Sequence, residues 1–237
     1  MKNLLRIIVV LVLAACGPKD VQSGDFGGQY LGAKYVLDPL GEGAGYDADP
    51  VFRTDAFDCQ TYVETVLACG DVARLDAIRY QDGEVDFIKR NHFFTADWLP
   101  NNKNLVENVS GEFGVAATRS GTIDKKSWFQ KNHGIKTDFV PRRVAVQYVP
   151  YSEIVKYDTS APVLVAFVVD NPATVGRIGS DILVSHVGFL LPGGVLRHAS
   201  SGAGKVIDTN FQEYAKTRAQ TATNIGVAFF KIKEFCQ

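Results

Sequence analysis

Apolar residues change period about half-way along the chain. From Cys59 to about Gly70 the set Cys59, Val63, Val66 and Leu67 recurs at helical spacing. Asp55 or Asp58 can cap this helix, and Gly70 suits its stop. A second helix is expected around Arg74 to Arg79. In the second half, "RRVAVQYVP", "APVLVAFVVD", "DILVSHVGFLL", "GVLRHAS" and "NIGVAFFKIKEF" are β-branched or aromatic runs bounded by turn residues, and they read as strands. Helices followed by a run of antiparallel strands is the α+β order. The expected domain packs an N-terminal helix against a sheet or small half-barrel. Residues 101–135 carry a mixed pattern that predicts no element.

Two stretches before the first helix are of a different kind. Residues 17–29, "GPKDVQSGDFGGQ", are polar and Gly-rich and read as a tether. "LDPLGEGAGYDADPVFRTDAFD" is rich in Gly, Pro and Asp and reads as an ordered loop leading into the helix. Ahead of both, residues 1–16, "MKNLLRIIVVLVLAAC", run from Lys2 and Arg6 through an apolar core to small residues. That is the order of an export signal, and it is too short to span a bilayer comfortably. Its ending, Leu13-Ala14-Ala15-Cys16, resembles a bacterial lipobox. The resemblance makes Cys16 the lipidated first residue of the mature chain, and Gly17 after it points to the outer membrane, facing the periplasm. An ordinary signal peptide cut nearby is the plainer alternative. Residues 30–237 are then one domain.

Composition narrows the function without naming it. With 237 residues and 46% hydrophobic positions, the chain is long enough for one domain with a proper core. Its 25 basic and 26 acidic residues leave no excess for a nucleic-acid partner. Of four cysteines, Cys16 is taken by the lipobox reading. An exported compartment permits disulfides, and the odd number remaining leaves one thiol without a partner in the chain. Cys59 and Cys69 are too far apart on one helix to bridge. Cys69 with Cys236 is the favoured pair, with Cys59 free.

The candidate chemistry starts from that free thiol. At a helix N-terminus a cysteine feels the macrodipole and unpaired N–H groups, which favour the thiolate and can hold a developing oxyanion. A buried structural cysteine is the common alternative, so a histidine base is needed. "SHVGFLLPGGVLRHASS" supplies two. If Pro192-Gly193-Gly194 is a three-residue hairpin loop, with a type I turn at Pro192-Gly193 and Gly194 left-handed, then Leu191 faces Val195 and Gly188 faces His198. His186 and His198 then share one face of the sheet. A two-residue loop would put them on opposite faces. Zinc sites need three or four ligands at recognisable spacings, and neither Cys-x-x-Cys nor His-Glu-x-x-His occurs, so no metal or other cofactor is expected.

"FDCQTYVE", followed much later by "HVGFLLPGGVLRHASS", resembles the NlpC-type papain-like cell-wall cysteine peptidases. Together with "LDPLGEGAGYDADPVFRTDAFDCQTYVETVLA" and "IRYQDGEVDFIKRNHFFTADW", the match is to the N-acetylmuramoyl-L-alanine amidase-like branch, from about residue 35 onwards. The resemblance implies that Cys59 is the nucleophile, His186 the base and His198 the group that orients it. It places Arg90 and His92 at the substrate cleft. Read without the family, both are residues usually found at least partly exposed. His133 has no motif around it. Gln60-Thr61 stands where most NlpC-type enzymes carry Ser-Gly, which follows the amidase-like branch and withholds the γ-D-glutamyl-diaminopimelate specificity of the wider group. The implied activity is hydrolysis of an amide bond in peptidoglycan stem peptides or muropeptides through a thioester. An acyltransferase on the same fold, or a non-catalytic murein-binding lipoprotein, are the alternatives.

Overall fold

A computed structural model describes residues 26–235. In chain order it contains β1 (Lys34–Tyr35), β2 (Ala56–Phe57), α1 (Cys59–Ala68), α2 (Val72–Arg79), α3 (Leu99–Asn101), β3 (Val106–Asn108), β4 (Ala117–Ile123), α4 (Lys125–His133), β5 (Arg142–Pro150), β6 (Val163–Val169), α5 (Ala173–Ile178), β7 (Val184–Leu191), β8 (Val195–Ser200), β9 (Lys205–Asn210), α6 (Phe211–Ala219) and β10 (Asn224–Ile232). The strands form one sheet in the order β2-β1-β9-β8-β7-β6-β10-β5-β4, with β3 also paired to β10. Among the described residues only the short β1–β2 pair is parallel. This is the α+β arrangement the sequence predicts, and it has no helix long and apolar enough to cross a membrane among the described residues.

The all-apolar run of β6 is explained by burial on both faces. All seven of its residues are buried. Leu164, Ala166 and Val168 join Tyr62, Val66 and Leu67 of α1 in one core, whereas Val163, Val165 and Phe167 join Phe211 of α6, Leu190 and Phe229 in the other. The alternation is the period of two that a strand imposes. Helix α1 thus covers one face of the central strands and α6 part of the opposite face.

The first and last described residues meet beside the first of these cores. The Phe26 ring lies 4.8 Å from that of Phe189 and 4.4 Å from that of Phe235, and Gly27 O accepts from the Tyr62 hydroxyl at 3.3 Å. Packing therefore begins inside the segment read as a tether. Residues 1–25 and Cys236 lie outside the described residues, and with them the lipobox cysteine Cys16 and the Cys69–Cys236 pairing. Cys59 is the free cysteine among the described residues.

Candidate active site

Asp58, not Asp55, caps α1. Its Oδ1 accepts from Thr61 N at 2.8 Å, and Thr61 Oγ1 accepts from Asp58 N at 2.9 Å. This reciprocal box satisfies two of the helix's unpaired donors and fixes Cys59 as the first helical residue. The expected depression of the thiol pKa is not what the surroundings produce. Burial pushes the Cys59 thiol up to about 12, the Asp58 carboxylate adds to the rise, and the backbone N–H groups of Val187, Gln60 and Cys59 itself act the other way. Desolvation of a charge outweighs the pull of a helix terminus once the sulfur leaves water.

The hairpin places the two histidines as the three-residue loop requires. Leu191 faces Val195, Leu190 faces Leu196 and Phe189 faces Arg197. One detail differs: Gly193 has φ +85° and Gly194 φ +69°. A positive φ at the second central residue belongs to a type II turn, not the type I turn expected. Asp158 Oδ1 holds the loop by accepting from both glycine N–H groups, at 2.8 and 3.1 Å. The loop length, and so the shared face, is unchanged. His186 Nε2 and His198 Nδ1 are 2.7 Å apart, with ring centroids at 4.8 Å.

Strand β7 carries an irregularity at this point. Phe167 pairs with His186 but Val168 pairs with Val184, so Ser185 is an extra residue in β7. A bulge of this kind bends the strand and re-aims the neighbouring side chain. His186 and Cys59 then line one cleft of about 230 Å³, together with Gln60, His92, Trp128 and Val187. Burial holds both imidazoles well on the neutral side. His186 lies well below the usual histidine range through desolvation, then His198 and Arg218, and His198 is lowered to about 4 by desolvation and Arg218, against the pull of Asp208. A neutral thiol beside a neutral, hydrogen-bonded imidazole pair can transfer a proton from sulfur to nitrogen as the sulfur attacks.

The family model described as "AmiA-like: N-acetylmuramoyl-L-alanine amidase-like" matches residues 25–223. The chain belongs to this amidase-like family. Among solved structures, a Legionella pneumophila protein of the family DUF1460 is 24% identical, covering 89% of this chain and 88% of its own, with a TM-score of 0.80. An N-acetylmuramoyl-L-alanine amidase from Bacteroides uniformis is 22% identical over 89% of this chain and 98% of that one, at a TM-score of 0.68. A Bacteroides fragilis protein described as a xylanase superposes as well, with a TM-score of 0.68, 21% identity and coverage of 88% and 100%. At these identities the likeness is one of fold. No curated protein matches the sequence.

In this amidase-like chain the segment around residue 90 divides between two places. His92 lines the Cys59 cleft, half-buried among Phe87, Trp128 and Phe129, with Nε2 2.7 Å from Phe87 O. Burial holds its imidazole well below the usual range. Arg90 is buried, and its guanidinium donates to Glu42 at 2.7 Å, Asp47 at 2.6 Å and Asp38 at 3.0 Å. It lines an adjoining cavity, which shares Gln60, His92 and Trp128 with the cleft and also takes in His133.

Several residues that sequence reasoning passed over hold this site together. Gln60 donates to Glu64 Oε1 and to Asn91 O, both at 3.0 Å, tying α1 to the His92 segment. Glu64, fully buried, accepts from Arg79 of α2 at 2.9 Å. Trp128 reaches the cleft from α4, within the stretch where the sequence predicted no element. Glu64 follows Gln60 at i+4, a spacing visible in sequence. Nothing local signals Trp128.

Proposed function

We propose that this member of the amidase-like family is a cysteine hydrolase that cuts an amide bond in peptidoglycan stem peptides or muropeptides. The observation that carries the reading is the meeting, in one cleft, of a free thiol at a capped helix N-terminus with the imidazole of a His–His pair. With the proton of His186 on Nε2 and donated to His198 Nδ1, Nδ1 of His186 is left as the base. Cys59 Sγ attacks the amide carbonyl while its proton passes to His186, and the Cys59 N–H supports the oxyanion. The C–N bond breaks as His186 returns the proton to the leaving amine, leaving a thioester. Water, deprotonated by His186, then releases the acid, and the thiolate regains the proton. A glycosidase would need a pair of carboxylates about the scissile bond. The lining of the Cys59 cleft includes no Asp or Glu.

The test uses mature protein and its Cys59→Ala variant on muropeptides, with products identified by mass spectrometry. Wild type alone should release product, and the newly exposed amine names the bond. Intact substrates with both proteins would sink the hydrolase reading. Product carrying an added amine or alcohol would make the protein an acyltransferase.

The signal-like N-terminus supports a lipid anchor at Cys16, holding the domain at the outer membrane and facing the periplasm. Cys16→Ala should abolish incorporation of radiolabelled palmitate in cells. Persisting label would defeat the lipobox assignment.

A further inference from the structure

We propose that Arg218 of α6 is a positioning residue that latches the β7 bulge and, with Tyr214 one turn before it, walls in the hydrogen-bonded His186–His198 pair on its α6 side. The proposal rests on the hydrolase reading of the same cleft. Its geometric basis lies on the side of the pair covered by α6. Arg218 Nη2 donates to Ser185 Oγ at 2.7 Å, and Ser185 is the extra residue that sets the direction of His186. The guanidinium carbon stands 5.5 Å from the Phe167 ring centre, and Phe167 is the cross-strand partner of His186, with ring centres 5.5 Å apart. Tyr214 completes the wall, its ring centre 5.0 Å from that of His198 and 6.0 Å from that of His186. Arg218 therefore touches the bulge residue before His186 and the aromatic partner beneath it.

Electrostatics gives the contact a consequence. The groups facing the pair are Cys59 from α1, Asp208 from β9, and Tyr214 and Arg218 from α6, with Tyr151 just after β5 beside Arg218. Asp208 is the carboxylate among them, and it is held in a two-pronged pair by Arg197, at 2.7 and 2.8 Å. Arg218 makes no ion pair with a carboxylate among the described residues. A cation without a counter-charge next to imidazoles penalises their protonated forms. Without it, the pair would take up a proton at higher pH and the base would be lost sooner on acidification. A guanidinium at this position thus adds to what desolvation already does, and extends towards acid the range in which His186 is free to accept the thiol proton. Its contacts on Ser185 and on Phe167 also give it leverage on where the His186 ring points.

The test compares the mature wild type with R218Q, R218K and S185A. Ring proton resonances of His186 and His198 are followed by NMR from pH 8 to pH 3, and the pH dependence of kcat/KM is measured on whichever muropeptide the wild type cleaves. R218Q should raise the titration of the pair by at least about half a pH unit and move the acid limb of kcat/KM by the same amount. R218K should restore the wild-type titration, because it restores the charge. S185A should lower kcat at unchanged KM without moving the acid limb, since it removes the latch and leaves the charge. An unchanged titration in R218Q overturns the proposal, as does an unchanged kcat in S185A if R218Q fails to fold. The NMR titration needs no substrate. A shifted titration with no turnover by any variant, wild type included, would uphold the inference about Arg218 and refute the hydrolase reading.

Discussion

A β-carbon at Gly188 would stand 2.8 Å from His198 Cβ and 3.0 Å from the carbonyl oxygen of Arg197. The glycine of His-Val-Gly leaves room for the facing strand at Arg197 and the Cβ of His198. Backbone cannot yield as a flexible side-chain end can, so Gly188→Ala should move His198 off His186. Overpacking of this kind costs about 1–3 kcal/mol. Urea unfolding should show that loss together with a drop in kcat, and a variant with wild-type stability and activity would refute the close fit. At the same scale, the sequence singles out Cys59 at a helix N-terminus, but the lowered thiol pKa expected there is not what its surroundings produce. Position at a helix N-terminus is local and legible. The desolvation that holds its thiol proton in place comes with a cleft assembled from separate segments, among them Phe93, Trp128 and Val187, and is not.

The elements were legible in proportion to how apolar their buried faces are. Helix α1 and strands β5, β6, β7, β8 and β10 all coincide with segments that the sequence predicts. β4 and α4 carry little apolar signal: "ATRSGTI" buries only Ile123, and "KKSWFQKNH" buries only Phe129. Their stability comes from pairing and capping, β4 running along β5 for seven residues and Asp124 Oδ1 accepting from Ser127 N at 2.9 Å. α1 and α2 are joined by more than apolar contact, since Glu64 and Arg79 form a pair with almost no exposure. Removing one partner leaves a buried charge, so Glu64→Ala should cost about 3–5 kcal/mol in chemical denaturation. A variant as stable as wild type would show that the pair does not join the helices. Loss of Gln60's partner should also loosen the His92 segment.

For the whole molecule, three desolvated imidazoles, of which His198 is fully buried, set a dependence on acid. His92, His186 and His198 are all held below the ordinary histidine range, chiefly by desolvation. Below a pH of about 6.5 the unfolded chain binds protons at these positions that the folded chain refuses. Their contribution to stability is therefore complete above that pH and is lost as the pH falls towards the folded values. The melting temperature should decline from about pH 7 to about pH 5, before ordinary carboxylates titrate. A flat profile there would contradict burial of the three rings in neutral form. The α+β order, the helix that begins at Cys59 and the common face of His186 and His198 follow from local pattern alone, because helical period, capping and hairpin register are decided within a few residues. Long-range packing is what commits Arg90 to Glu42, Asp47 and Asp38, brings Trp128 to the cleft, and sets Arg218 behind the histidines. Those outcomes depend on desolvation and on contacts between segments far apart in the chain, for which no local pattern codes.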